Sequence, residues 1–558
     1  MFTRSLRLAV VLFGCLPAAA PAAPRDDLLR LVPDDFTFCL VVQNLRDNAQ
    51  LNEHSRFLIA LAKSPLLGAI QATPEAKKAR EALETILKEL GVSVDQVRDD
   101  LLGDAVVLVY RKGPAGQPDH EDGLAFVHAR DEELLARLVG RVNEIQKKSG
   151  ELDSVEPVEF EGGRYFRRVH GPSAQFYALN GHQLIVSTKE EGLRAVLTRR
   201  LAEKAGEPEV VRRMKTLGII DAPVSLVVNP RSFDADIAVG AKAVKESERA
   251  FLSEFGKYWK AVDSVAVFAR TAPTAEIGVA LSVRPASLPK SAAMFFGEAG
   301  KRSPLWSAIP DDALFALVSR FHAESFADSM QEFLPVADRK KVLDGLGHAT
   351  RPFTEADDIS PLIRGLGPDL GLWVTKPDVD DKTWVPRAIL AVKVAPGDDG
   401  KRAEAAVMKS LDFLMRLACF LSPETRLQTL AKESVTAVSH PSFPPGFRPC
   451  FGSKGGYLLV GSSPLANAGF TAPLAGPANA DEVPVIRLSV TGWRAYLQTH
   501  QKEIARFFAS AGAGDETELV GKMSAILPMF DGLDRIELVQ KTGPDRVMLL
   551  LRVRDSRK

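Results

Sequence analysis

The chain has 558 residues, 46% apolar and 25% charged, the balance of an ordinary folded protein of about two to four domains. That composition excludes a disordered tail, a collagen and a polytopic membrane protein. With 71 basic and 71 acidic residues there is no net field to attract nucleic acid or an anionic membrane, and four cysteines are too few for a disulfide scaffold.

At the N-terminus Arg4 and Arg7 precede the apolar run Leu8–Leu16 and the small residues Ala18–Ala23, the layout of a secretory signal peptide over residues 1–22. Cleavage is expected after Ala22, because a cut after Ala20 would leave Pro21 at the start of the product. The mature chain is therefore expected to be periplasmic or extracellular. Leu12-Phe13-Gly14-Cys15 offers an alternative, a lipobox whose acylated Cys15 anchors the protein, although Phe13 departs from that pattern. Beyond the signal no charge-free apolar run reaches the ~20 residues of a bilayer span, so no transmembrane segment is expected.

Leu31–Val42 opens with Pro33-Asp34-Asp35, turn chemistry that launches an apolar strand containing Cys39. An amphipathic helix is predicted over Pro74–Leu90, then a strand to Tyr110, an acidic loop Asp119–Asp122 and a strand Gly123–His128. In Asp131–Lys148 the spacing of Leu134, Leu135, Leu138 and Val142 predicts a helix with one apolar face. Gly162-Gly163 and Asn180-Gly181 mark tight hairpins, and Gln183–Ser187 is a strand leading into a helix at Glu190–Leu201. Strand Val224–Val228, one helix over Ser232–Trp259, and a hairpin of Val262–Arg270 with Ala275–Arg284 complete this half. Residues 289–302 read as a linker, with Met294-Phe295-Phe296 expected to dock as a short helix.

The same order then starts again. Ala308–Ser319 shares six of twelve positions with Leu31–Val42, including Pro310, Asp311 and Asp312, at an offset of 277 residues. Leu366–Thr375 matches the strand at Leu102–Tyr110. The acidic loop Asp378–Asp381, strand Ala388–Val394 and helix Arg402–Leu421 follow in step. Tyr457–Gly461 matches Gln183–Ser187, Ile486–Val490 matches Val224–Val228, and Val547–Arg554 matches Ile277–Arg284. Offsets drift between 262 and 277 as surface loops gain or lose residues. The expectation is an α+β protein made of two tandem copies of one module, residues 28–288 and 303–556. Each copy is an antiparallel or mixed sheet with helices mainly on one face.

No P-loop, G-x-S-x-G elbow, H-E-x-x-H, C-x-x-C or EF-hand loop is present, so no cofactor is expected. Asp34, Asp35, Asp311 and Asp312 are the carboxylates that a duplicated hydrolase would use, and equally a turn motif. Asp119, Glu121, Asp122, Asp378, Asp380 and Asp381 are acceptor-rich and could ligate calcium, but also describe solvated loop tips. Arg164–His170 interleaves arginines with Tyr165 and Phe166, a pattern for an anionic polymer or for a plain strand. Gly452–Tyr457 reads as a hairpin rather than a phosphate loop. Cys419 and Cys450 are the candidates for a disulfide.

Two strings, Leu31–Leu40 with Ala308–Leu317 and Tyr177–Thr188 with Phe451–Ser462, resemble those of exported bacterial proteins built of domains without an assigned function. That resemblance implies export and α+β modules and carries no site residues. The functional expectation is a non-catalytic binding or scaffold protein of the periplasm or cell envelope, meeting an envelope protein or polymer and not nucleic acid. The alternative is an exported hydrolase with a carboxylate site formed between the copies.

Overall fold

The computed structural model describes residues 24–555 except 53–71, 202–205, 244–245, 272–273, 299, 355–358, 379–382, 431–434, 475 and 477. The expected signal peptide and Cys15 lie outside these residues. The chain is mixed α/β, 44% helical and 32% strand, with a large antiparallel sheet. Contacts divide it into a first unit, Met1–Asn48 with Glu81–Val227, and a second, Ala49–Arg80 with Val228–Lys558. Among the described residues no helix is long and apolar enough to cross a membrane.

The first unit contains β1 (Phe38–Gln43), β2 (Ala105–Arg111), β3 (Asp122–His128), β4 (Ser154–Phe160), β5 (Gly163–His170), β6 (Ser173–Asn180), β7 (Gln183–Ser187) and β8 (Val224–Val228). Their order across the sheet is β4-β5-β6-β7-β3-β2-β1-β8. Glu161 and Gly162 both take positive φ, 51° and 78°, the conformation that a two-residue hairpin between right-twisted strands requires. Along β1, Cys39 and Val41 alternate with half-buried residues, as one buried face dictates. Helix α1 (Glu132–Ser149) starts where the Asp131 carboxylate accepts from Leu134 N at 2.9 Å and ends at left-handed Gly150. Its Leu134, Leu135 and Leu138 pack with Val92, Leu101 and Ala129. Helix α2 (Glu190–Leu201) follows β7. Gly192 is obligatory in α2, because a Cβ there would sit 1.9 Å from Asp122 Oδ2.

The second unit begins with α3 (Glu246–Ala261), β9 (Val262–Arg270), β10 (Ala275–Val283) and α4 (Lys290–Glu298). Next come β11 (Phe315–Arg320), α5 (Ala323–Glu332), β12 (Leu366–Thr375), β13 (Arg387–Val394) and α6 (Asp398–Leu421). The short strands β14 (Arg426–Leu430), β15 (Val435–Ser439), β16 (Cys450–Lys454) and β17 (Tyr457–Gly461) lead to β18 (Glu482–Ser489), α7 (Val490–Ser510), β19 (Leu533–Thr542) and β20 (Arg546–Asp555). The antiparallel order is β14-β15-β16-β17-β13-β12-β11-β18-β19-β20-β10-β9. A core of Leu305, Trp306, Val318, Trp373, Tyr457 and Phe470 packs within this unit.

The segment read as one helix over Ser232–Trp259 is a 3-10 turn at Pro230–Phe233 and two helices, Asp234–Ala243 and Glu246–Ala261. Asn229 explains the late start, since its side chain caps Arg231 N at 3.1 Å. Among the described residues no disulfide is formed: Cys450 is buried in β16, Cys419 is half-buried on α6, and Cys39 is buried in β1. Burial alone pushes the Cys39 thiol well above its ordinary range.

Candidate functional site

In the second unit β10 and β20 pair so that Val279 faces Leu549 and Leu281 faces Val547. Strand alternation gives this ribbon two faces. Gly278, Ala280, Met548 and Leu550 are buried on one of them. The other carries Leu281, Val279 and Ile277 on β10 beside Val547, Leu549 and Leu551 on β20. At one end of that second face, α4 roofs the sheet with Ala292 and Phe296. The space beneath is a cavity of about 480 Å³, floored by Leu281, Val547, Val483, Val485 and Val318. The volume suits a small molecule.

The roof is held by hydrogen bonds rather than by apolar contact alone. The Tyr258 hydroxyl of α3 donates to Glu332 Oε2 of α5 at 2.7 Å, and buried Ser291 Oγ of α4 donates to the same oxygen at 3.0 Å. One carboxylate therefore ties three helices, and burial raises the Tyr258 pKa above its ordinary value.

The cavity has a charged corner at Glu298, Lys301 and Arg320. Arg320 donates from Nη2 to Glu298 Oε2 at 3.0 Å and from Nη1 to Asp369 Oδ1 at 3.0 Å. Lys301 Nζ also donates to Glu298, and His322 Nε2 lies 3.4 Å from it. Burial raises the Glu298 carboxyl, but these donors outweigh it and hold the group at about 2. Every charge in the corner is thus already matched by an opposite one within the protein.

Past the roof the floor continues into solvent. Val279 and Ile277 are 46% and 60% exposed, Leu549 and Leu551 43% and 42%, and Val267 of β9, opposite Val279, 44%. Same-face neighbours on a strand are roughly 7 Å apart. The cavity is therefore the covered end of an apolar strip at least two strands wide.

The carboxylates singled out from the sequence lie elsewhere. Phe36 N bonds to Pro33 O at 3.3 Å and Ala313 N to Pro310 O at 3.1 Å, the same turn at both Pro-Asp-Asp strings. Asp35 is bridged by Arg111 at 2.9 and 2.6 Å, Asp34 accepts from Arg199 at 3.0 Å, Asp311 is 3.7 Å from Arg487, and Asp312 is exposed. Asp34 and Asp35 belong to the first unit, Asp311 and Asp312 to the second.

Of the acidic loop residues, Asp119 is exposed and Glu121 bonds the Tyr110 hydroxyl. Asp122 turns inward to accept from Ser187 Oγ at 3.1 Å and Thr188 Oγ1 at 3.0 Å. Asp378 pairs with Arg387 at 2.6 Å, while Asp380 and Asp381 lie outside the described residues. Among the described residues no group of three or more His, Cys, Asp and Glu is placed to hold a metal ion.

The basic-aromatic string Arg164–His170 is strand β5. Tyr165 is fully buried and bonded to Glu190, Arg164 lies over the Phe166 ring at 5.3 Å, and Arg167 is exposed. The residues that build the cavity carry no motif, because they come from separate helices and strands spread between Tyr258 and Val547. Met294-Phe295-Phe296 was the one visible signal, an apolar patch where a linker is otherwise polar.

Compared with protein families, curated proteins and solved structures, the chain matches none.

Proposed function

We propose that the protein is a non-catalytic binding protein for an elongated, uncharged apolar molecule, held in the cavity and along the strip of the second unit. The observation that carries this reading is the continuity of the roofed cavity with an exposed apolar sheet face. Soluble proteins rarely leave such a face bare without a use for it. A charged ligand is disfavoured because it would break a pair in the Glu298–Lys301–Arg320–Asp369 corner and leave a charge buried without its partner.

Titration of the full chain with the uncharged dye Nile red, read by fluorescence, tests this reading. Ala292→Trp fills the cavity beneath α4 and should weaken binding at least tenfold. Equal binding by a folded Ala292→Trp protein would overturn it.

We propose further that the chain is exported and that its halves are copies of one module. Strands β4-β5-β6-β7-β3-β2-β1-β8 and β14-β15-β16-β17-β13-β12-β11-β18 follow the same course in the same chain order. The β10–β20 pair supports duplication more sharply. At the offset of 270 that aligns these strands, Val279 lies opposite its own counterpart, Leu549. A new N-terminus at Ala23, read by sequencing the mature protein, is the expected mark of export. An N-terminus at an acylated Cys15 would assign the lipid-anchored form instead.

A further inference from the structure

The first unit has a cavity of its own, about 300 Å³, between α1 and the face of β3, β6 and β7. Leu135, Leu138, Val139 and Val142 descend into it from α1, and Val127 and Val186 rise from the sheet. Its polar end is Asn143, Arg168, Gln175 and Tyr177. Arg168 is the only charged residue among those lining it.

That guanidinium has only neutral side-chain partners. Nη1 donates to Gln175 Oε1 at 3.0 Å and Nη2 donates to Gln146 Oε1, both neutral amides. Nε–H is buried and bonds to nothing. Among the described residues no carboxylate pairs with Arg168. Arg111 and Arg320 by contrast meet acids, Asp35 and Asp369, while Arg448, which like Arg168 donates to a glutamine and has an unbonded Nε, does not line this cavity. Burial lowers the Arg168 pKa, as expected of a cation without a counter-ion. Beside it Asn143 Nδ2 donates to the Tyr177 hydroxyl oxygen at 3.2 Å, which leaves the Tyr177 proton available to a further acceptor.

A half-buried cation with its Nε withdrawn from water and no anion beside it is costly, and one at the end of an apolar cavity is suited to hold a headgroup. We infer that this cavity binds a single-chain carboxylate amphiphile, a fatty acid, with its carboxylate on Arg168 Nε and the Tyr177 hydroxyl and its chain among Leu135, Leu138, Val142 and Val186. A planar carboxylate fits one guanidinium edge. A phosphate monoester, carrying nearly two charges, would need a second cation, and the lining holds none. The site is independent of the uncharged-ligand site in the second unit.

The test is titration of the full-length protein with the fluorescent fatty acid cis-parinaric acid. Arg168→Gln and Val142→Trp should each weaken binding at least tenfold, while Ala292→Trp leaves it unchanged. Oleate should displace the probe and oleyl alcohol should not. Undiminished binding by Arg168→Gln would overturn the inference, as would loss only in Ala292→Trp, or displacement by dodecyl phosphate stronger than by laurate. Melting gives a second readout without ligand. Arg168→Met should hold or raise Tm, because it removes an uncompensated charge; a fall in Tm would mean that Arg168 serves the fold instead.

Discussion

The two cavities share a plan and differ in how their charge is balanced. Each lies between helices and the apolar face of an antiparallel sheet, and each ends in an arginine. In the second unit Arg320 is held between Glu298 and Asp369, so the corner is complete without a ligand. In the first unit Arg168 has only amide oxygens and an unbonded Nε–H, so the corner lacks an anion. The same residue type thus serves the fold in one place and is left for a ligand in the other. What separates the two is the partner set: acids around Arg320, amides around Arg168.

Removing each arginine should break that comparison most forcefully. Arg320→Met leaves Asp369, 5% exposed, without its cation, and stranding one partner of a buried pair costs about 3–5 kcal/mol. Urea unfolding should show this loss in Arg320→Met and none in Arg168→Met. Equal losses would erase the distinction.

Acid should separate the units next. The Glu298 carboxyl is held at about 2 against an ordinary 4.5. Its folded value is depressed, so its contribution is complete above pH 4.5 and fades as pH falls toward 2. With its side chain 20% exposed, the contribution is on the order of 2–3 kcal/mol, from about 1.4 kcal/mol per unit with a discount for screening. Melting curves of Glu298→Gln should be flatter across that window than those of the parent chain. Parallel curves would mean that the corner does not stabilise the unit.

Much of this architecture is legible in the chain, and the reason is local chemistry. Hairpins at Gly162, Gly181 and Gly455 are announced by residues that tolerate positive φ, and all three adopt it. Strand Val262–Arg270 and helix Pro74–Leu90 match their expected bounds because their patterns are unbroken. The sites are legible only in fragments. Arg168 stood inside the basic-aromatic string, yet its lack of an acid depends on Gln146 and Gln175, which approach through a helix and a neighbouring strand. Glu298, Arg320 and Asp369 are separated by up to 71 residues and meet only through the β11–β12 pairing and the α4 roof. Periodicity reports which face of an element is apolar; it does not report whether that face will be covered.

Filling each cavity should sharpen the comparison at a smaller scale. Ala292→Trp and Val142→Trp add a large ring to existing space, so each should cost under about 2 kcal/mol of stability, less than overpacking a full core. Nile red binding should fall only in the first variant and cis-parinarate binding only in the second. Crossed effects in a fluorescence titration would show one shared site.

The smallest effect is expected at the Pro-Asp-Asp turns. Asp34, Asp35 and Asp311 are exposed and paired with Arg199, Arg111 and Arg487, and exposed pairs contribute about 0–1 kcal/mol each. The turns themselves are closed by backbone bonds from Phe36 to Pro33 and from Ala313 to Pro310, which asparagine leaves in place. The fourfold variant Asp34→Asn, Asp35→Asn, Asp311→Asn, Asp312→Asn should therefore lose no more than about 3 kcal/mol and bind both probes as the parent does. The Asp35–Arg111 bridge, bidentate at 2.6 and 2.9 Å, should account for most of any loss, so Asp35→Asn alone should reproduce it. Loss of probe binding in the fourfold variant with Tm intact would return these carboxylates to the functional site and favour the hydrolase reading over the binding one.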